Sequence, residues 1–111
     1  MPPTDRSELL QGTLDMLILK TLEPAPLHGY AIARAIARTS QALLHVPQGS
    51  LYPALHRLEN KGLLAADWTE TGSGREAKVY RLTKKGRARL QDEIADWRRI
   101  SDAIALILQS A

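Results

Sequence analysis

The sequence predicts a mainly α-helical protein with one small β-hairpin and a long last helix. Apolar residues recur at steps of three and four over much of the 111-residue chain, which is the period of an amphipathic helix. Two short alternating segments, joined by a glycine-containing stretch, lie between residues 63 and 83 and indicate a hairpin. A final apolar stripe from Leu90 to Leu108 is longer than a small preceding domain can bury.

Length and composition indicate one compact unit with an appendage. Hydrophobic residues make up 44% of the sequence and phenylalanine is absent, so we expect a core of leucine, isoleucine and alanine. The longest apolar run, residues 103–108, is far shorter than the roughly 20 residues of a membrane span. The first residues lack a signal-peptide core. We therefore expect a cytoplasmic protein, and the absence of cysteine excludes disulfides and thiolate metal sites.

Two helices are predicted on either side of a segment that contains two prolines. The first runs from Leu9 to Leu22, and the second begins at Gly29 and continues through Thr39. Prolines interrupt the chain between them because they lack a backbone amide donor. The expected core positions are Leu10, Leu14, Leu17 and Ile18 in the first helix and Tyr30, Ala33, Ile36 and Ala37 in the second.

The third predicted helix follows a loop between Thr39 and Pro47 that includes a very short β segment. Pro47 suits a first helical turn, but Pro53 cannot donate its backbone amide. Two arrangements therefore stay open, a helix that kinks at Pro53 or a fresh start capped by Ser50. Gly62 supplies the stop.

This third helix has one apolar and one polar face. Leu51, Leu55 and Leu58 recur at steps of four and three and are expected in the core. The opposite face carries donors, acceptors and a fixed cation, which are the groups that contact base edges and phosphates in a DNA major groove. An ordinary solvated helix face has the same composition, and that alternative stays open. The polar face consists of Ser50, His56, Arg57 and Asn60.

The predicted hairpin pairs residues 63–70 with residues 77–83. The joining segment has two glycines and a basic residue, so the tip is cationic. From Arg75 to Arg89 basic residues greatly outnumber the one acid, Glu76. Such a field suits a polyanion such as nucleic acid, although a solvated face has the same charge pattern. Trp68, in the first strand, is expected to pack.

The last helix is predicted from Lys84 to about Gln109, with Thr83 as its N-cap. A second copy would cover its apolar stripe, because both partners of a two-fold contact use the same residues. The alternative is a helix that folds back on its own domain. We therefore predict a winged helix-turn-helix DNA-binding domain over residues 1–83 and a dimerisation helix over residues 84–111. The predicted dimerisation residues are Leu90, Ile94, Trp97, Ile100, Ile104, Ile107 and Leu108.

Three motifs occur in order along the chain: LDMLILKTLEPAPLHGYAIA at residues 14–33, QGSLYPALHRLENKGLL at 48–64 and REAKVYRLTKKGRARL at 75–90. Together they resemble the PadR family of bacterial transcriptional regulators, in its short branch with one C-terminal dimerisation helix. The resemblance implies a homodimer whose third helices enter successive major grooves of an operator while each hairpin contacts the flanking backbone. We therefore expect a sequence-specific transcriptional regulator that binds double-stranded DNA, and a repressor, because the family is mostly repressive.

The resemblance also implies roles for single residues. Tyr52, in the LYPAL motif, is expected to contact a phosphate, although a half-buried tyrosine that anchors the helix would match equally well. Gly29 and Tyr30 match the HGY motif and are expected to serve packing and the helix start. Trp97 is the candidate contact for a small aromatic or hydrophobic effector, with packing in the dimer core as the alternative. The expected DNA-binding residues are Gln48, Ser50, Tyr52, His56, Arg57, Lys61, Arg75 and Lys78.

Neither catalysis nor metal binding is expected. The histidines at positions 28, 45 and 56 show no three- or four-residue pairing and no carboxylate partner close in sequence. No nucleophile, acid and base are visibly grouped, so we expect no enzyme, cofactor or metal. The main alternative is a winged-helix module that binds another protein and not DNA. An enzyme or accessory subunit that uses the dimer cleft is the second alternative.

Overall fold

The computed structural model describes residues 3–70 and 72–110, with side chains from residue 12 onward. The fold is mainly helical with one small antiparallel sheet, as predicted. No helix in the described part of the chain is long and apolar enough to cross a membrane. In chain order the elements are α1 (Pro3–Thr21), β1 (Leu27–His28), α2 (Gly29–Thr39), α3 (Gln48–Asn60), β2 (Leu64–Glu70), β3 (Glu76–Leu82) and α4 (Lys84–Gln109).

Helix α1 begins earlier than predicted, at Pro3 instead of Leu9. Leu14 and Ile18 are buried as expected, while the predicted core position Leu10 lies outside the described side chains. Helix α2 has the predicted bounds, but the burial predicted for Tyr30 was wrong, because its side chain is 61% exposed. Its buried face contains Gly29, Ile32 and Ile36. Successive residues of a helix are rotated by about 100° around its axis, so Tyr30 points away from this face.

The segment between α2 and α3 is a loop without a strand, so the short β segment predicted there was wrong. Its backbone turns through positive φ angles at Gln41 and Ala42. The short strand is instead β1, where Leu27 pairs with Tyr80 and His28 pairs with Val79. β1 forms because it pairs with the free edge of β3. The segment between α2 and α3 does not pair with that edge.

Helix α3 starts at Gln48, directly after the extended N-cap Pro47. Ser50 does not cap a fresh start, because it lies inside the helix and its amide donates to the Pro47 carbonyl oxygen at 3.0 Å. The helix also contains Pro53 within its bounds. Pro53 lies beyond the first helical turn, so its missing amide removes one backbone hydrogen bond, to the Gly49 carbonyl oxygen. Gly49 is exposed, so water can satisfy that oxygen instead.

The predicted stop at Gly62 is confirmed. Gly62 has a φ of +76°. Its amide donates to the Glu59 carbonyl oxygen at 2.9 Å, and the Leu63 amide donates to the Leu58 carbonyl oxygen at 3.0 Å. This pair of hydrogen bonds is a Schellman motif, which satisfies carbonyl groups at the helix end and favours glycine. It directs the chain from α3 straight into β2.

The sheet has the strand order β1-β3-β2, with both pairs antiparallel. On its inner face Leu64 pairs with Leu82 and Ala66 pairs with Tyr80, and Leu64 and Tyr80 belong to the core. Trp68 is on the same face, since side chains alternate along a strand. It is nevertheless 64% exposed, contrary to the prediction that it packs, because it lies further toward the hairpin tip than the core residues.

Helix α4 starts in the core and then leaves it. The Thr83 hydroxyl accepts the Gly86 amide at 2.9 Å, as predicted for an N-cap. Leu90 is fully buried and Ile94 packs partly against the core, whereas the large apolar residues from Trp97 onward are at least half exposed. The protein therefore has an elongated outline of 61 × 31 × 24 Å. The alternative in which α4 folds back on its own domain holds only for its first turns.

Candidate nucleic-acid interface

Helix α3 presents an exposed surface with several polar residues opposite its core face. Leu51, Leu55 and Leu58 are buried at 1% exposure or less, so the opposite side of α3 faces solvent. Among the predicted DNA-binding residues, the structure places these on the exposed side of α3 or at its C-cap: Gln48, Ser50, His56 and Lys61.

Tyr52 combines packing with exposure. A Cβ on Gly29 would lie 2.9 Å from Tyr52 Cε1 and 3.3 Å from its hydroxyl oxygen, so the ring rests against the first residue of α2. The tyrosine of the LYPAL motif and the glycine of the HGY motif therefore meet in space, and a larger side chain at position 29 would require the Tyr52 ring to shift. The side chain of Tyr52 is still 43% exposed, so its packing leaves it accessible to a ligand.

Arg57 is engaged within the protomer. Its Nη2 donates to Asp15 Oδ1 at 2.5 Å, and the two side chains are 31% and 20% exposed. This ion pair joins α3 to α1, and the guanidinium group of Arg57 is partly buried. The residues are 42 positions apart, so the spacing on α3 that predicts an outward-facing cation gives no sign of the partner. A DNA phosphate would have to compete with Asp15 for this group.

Lys78 likewise joins the hairpin to α3. Its Nζ donates to Glu59 Oε1 at 2.9 Å and lies 5.3 Å from the centroid of the Tyr80 ring. The hydrogen bond to Glu59 raises the pKa of the Lys78 ammonium group. Arg75 lies exposed beside the hairpin tip. The hairpin thus brings two of the predicted DNA-binding cations to the same protruding element.

A shallow groove next to these residues was not predicted from the sequence. It lies between the start of α2, the start of α3 and the inner face of the hairpin, and three tyrosines and one tryptophan contribute to it. The strand alternation does place Trp68 on the inner face, but the meeting of four separate segments has no sequence signal. We call it the aromatic groove, and its lining residues are His28, Gly29, Tyr30, Ala31, Tyr52, Trp68, Ala77, Lys78 and Tyr80.

The far half of α4 carries an exposed apolar surface. Of the predicted dimerisation residues, Leu90 is fully buried in the chain's own core, and Ile94 packs partly against it. These two therefore attach α4 to its own domain and offer little to a second copy. The remaining ones, whose exposure ranges from 50% to 79%, are Trp97, Ile100, Ile104, Ile107 and Leu108.

In the part of the chain that the structure describes, no metal site accompanies these surfaces. In the described residues no group of three or more histidines, cysteines or acids is arranged to hold a metal ion. The chemical groups on α3 and the hairpin include amides, hydroxyls, an imidazole and cations. They also include the carboxylates Glu59 and Asp67, which pair with Lys78 and Arg81, and those of Glu70 and Glu76. The hydrogen-bond donors and cations among these groups suit a polar, anionic partner.

Comparisons with known proteins agree on one family. The profile of the transcriptional regulator PadR-like family matches residues 18–92. "Transcriptional regulator Rv3488" of Mycobacterium tuberculosis is 34% identical over 86 residues, covering 78% of this chain and 77% of that protein. A PadR family transcriptional regulator from Eggerthella lenta is 34% identical with a TM-score of 0.83, covering 97% and 92% of the two chains. A transcriptional regulator from Clostridium thermocellum, 24% identical, shares the fold with a TM-score of 0.85 over 92% and 99%.

Proposed function

The chain belongs to the PadR-like family of transcriptional regulators, and on that premise we propose that it binds operator DNA sequence-specifically as a homodimer and represses transcription. The observation that carries the proposal is the exposed polar face of α3 beside a hairpin that carries Arg75 and Lys78. In a winged helix-turn-helix such a helix enters the major groove, and the hairpin contacts the flanking backbone.

We assign roles in DNA binding according to the solvent exposure of each side chain. Ser50 and His56 are exposed on α3 and are proposed to contact base edges, with Gln48 beside them. Lys61 and Arg75 are proposed to contact phosphates. The side chains of Arg57 and Lys78 are only 31% exposed, so we assign them a weaker direct contribution and a role in holding α3 against α1 and the hairpin.

The homodimer is proposed from the exposed stripe on α4. Ile104, Ile107 and Leu108 are 50%, 71% and 79% exposed, and a water-exposed apolar stripe of this kind is unfavourable unless a partner covers it. Pairing of two α4 helices would join two domains, formed mainly by residues 1–83, through the helices of residues 84–111. Two copies of α3 would then reach two half-sites about 34 Å apart.

A small aromatic or hydrophobic effector is proposed to regulate this dimer. Trp97 is 51% exposed on the same stripe, so its ring would lie at or near the contact between the two α4 helices. An effector that stacks on Trp97 would release DNA if it favoured a spacing of the two α3 helices that mismatches the groove repeat.

The proposal is tested by fluorescence anisotropy of a labelled duplex taken from upstream of the protein's own gene, with a scrambled duplex as comparison. We expect preferential binding of the upstream duplex that persists at physiological salt. Weak binding that is equal for both duplexes and is lost at physiological salt would indicate a nonspecific basic patch instead of a sequence-specific interface. An absence of binding at either salt would favour the alternative of a module that binds another protein.

Two variants with the same loss of charge locate the interface. Arg75→Ala should weaken binding of both duplexes and reduce the salt slope by about one unit. Arg99→Ala removes an equal charge from α4, where Arg99 is 79% exposed and paired with Asp96. It should leave both quantities unchanged, because α4 lies outside the proposed DNA contact. An equal effect of the two variants would contradict the assignment of the hairpin.

A further inference from the structure

We propose that the aromatic groove binds the sugar-phosphate backbone of one DNA strand, so that Trp68 and Tyr30 are DNA contacts in addition to the residues of α3. This inference rests on the proposed function and extends it to a surface outside the predicted contact set. It concerns the backbone and not the bases, because the groove lies beside α3 and not on its exposed polar face.

The distribution of aromatic residues is the first argument. The chain has three tyrosines, two tryptophans and no phenylalanine, and all of these except Trp97 line the groove. Tyr80 is buried, but Tyr30 is 61% and Trp68 is 64% exposed. Core packing therefore does not account for the last two. Aromatic rings with a polar edge favour surfaces that become partly covered by a partner.

The register of the sheet is the second argument. Trp68 pairs with Lys78, one step beyond the Ala66–Tyr80 pair on the same face. The inner face of the hairpin thus continues past the core toward the tip, and there it is left open to solvent. A tryptophan on this extension would be covered only by a partner that lies along the hairpin and against the start of α3.

The charges in and around the groove are the third argument. Lys78 Nζ lies 5.3 Å from the Tyr80 ring centroid, and Arg34 Cζ lies 5.7 Å from that of Tyr30. None of the lining residues is a carboxylate, although Glu59 accepts a hydrogen bond from Lys78. Glu70 and Glu76 form the next pair on the same face of the hairpin, beyond Trp68 and Lys78 toward the tip. The groove itself offers aromatic rings with the cations of Lys78 and Arg34 beside them, a combination that fits deoxyribose rings together with phosphates.

The position of the groove is the fourth argument. It adjoins the proposed DNA contact on α3 and the hairpin, which favours DNA over other partners with the same chemistry. Tyr52 belongs both to the groove and to the predicted DNA-binding set, and Lys78, which is paired with Glu59, lines the opposite side of the groove on the hairpin. A strand that contacts α3 and the hairpin would therefore pass over the groove between them. A DNA backbone presents sugar and phosphate in alternation along this path, and such contacts position a duplex without reading its sequence.

The test uses Trp68 as its own probe. Trp97→Phe leaves Trp68 as the single tryptophan, and acrylamide quenching of its fluorescence reports its access to solvent. The duplex is a random sequence at low salt, labelled with a dye whose anisotropy measures binding independently. We expect quenching of Trp68 to fall at least twofold once the anisotropy is saturated.

The outcomes separate this inference from the proposed function. A saturated anisotropy with unchanged quenching of Trp68 would overturn the inference while DNA binding stands. If the anisotropy does not rise with the unchanged protein either, DNA binding itself fails and the inference fails with it. Protection of Trp68 without DNA, at rising protein concentration, would show that a second copy occupies the groove and would overturn the inference as well.

A variant pair supplies a second readout. Trp68→Ala should weaken binding of upstream and scrambled duplexes by the same factor, about tenfold, because a backbone contact carries no sequence information. Trp68→Phe retains a ring and should recover most of the affinity. A change in the ratio of the two affinities would overturn the backbone assignment, as would an unchanged affinity of Trp68→Ala for both duplexes.

Discussion

Gly86 shows how one residue determines the position of an entire helix. A Cβ at Gly86 would lie 2.0 Å from the Leu63 carbonyl oxygen and 2.8 Å from Leu82 Cδ1, so α4 packs directly on the backbone between α3 and β2. Neither backbone can move without disturbing the core. We expect Gly86→Ala to lower the free energy of unfolding in urea by about 3 kcal/mol.

Gly12 is the matched control for this substitution. It also lies within a helix, but nothing lies within 4 Å of the position of its Cβ. Gly12→Ala should leave the free energy of unfolding unchanged or raise it by up to about 1 kcal/mol, because alanine loses less backbone freedom on folding. Equal stability of the two variants would argue against close packing at Gly86.

Residues whose surroundings are set by their own element were the ones predicted correctly. The burial of Leu51, Leu55 and Leu58 follows from steps of three and four on a single helix. The ion pair between Arg57 and Asp15 depends instead on where α1 and α3 cross. Periodicity shows which way a side chain points from its helix axis, and it contains no information on what another element places there.

At the scale of elements, Thr83 connects the hairpin to α4. Its hydroxyl accepts the Gly86 amide at 2.9 Å and donates toward the Gly62 carbonyl oxygen at 2.8 Å, so it caps α4 and joins it to the end of α3. We expect Thr83→Ala to lower the free energy of unfolding by about 1 to 2 kcal/mol. Thr83→Ser keeps the hydroxyl and should retain most of this stability in the same urea titration; a loss as large as that of alanine would assign the effect to the methyl group.

Element bounds were predictable wherever a local signal marked them. The start of α2, the stop at Gly62 and the cap at Thr83 each rest on backbone chemistry within a few residues. The strand β1 was missed because two residues, Leu27 and His28, become a strand only by pairing with β3. The aromatic groove was missed for the same reason, since its walls come from elements that are distant in sequence.

At the scale of the whole molecule, the exposed stripe on α4 predicts the oligomeric state. Ile104 lies on this stripe, whereas Leu106 is two residues further along and points to nearly the opposite side of the helix; they are 50% and 70% exposed. If two copies pair through the stripe, Ile104→Glu should produce monomers in sedimentation velocity, because a carboxylate would be buried in the contact. Leu106→Glu makes the same chemical change away from the stripe and should leave the dimer intact.

The same two variants link assembly to DNA binding. A monomer has only one α3, so Ile104→Glu should bind a single half-site much as before and lose the added affinity that two linked half-sites give a dimer. Leu106→Glu should keep that advantage. Dimers of Ile104→Glu at the concentration of the assay would place the contact elsewhere on the protein. Monomers that still prefer two linked half-sites would mean that the two domains meet on DNA through a surface other than α4.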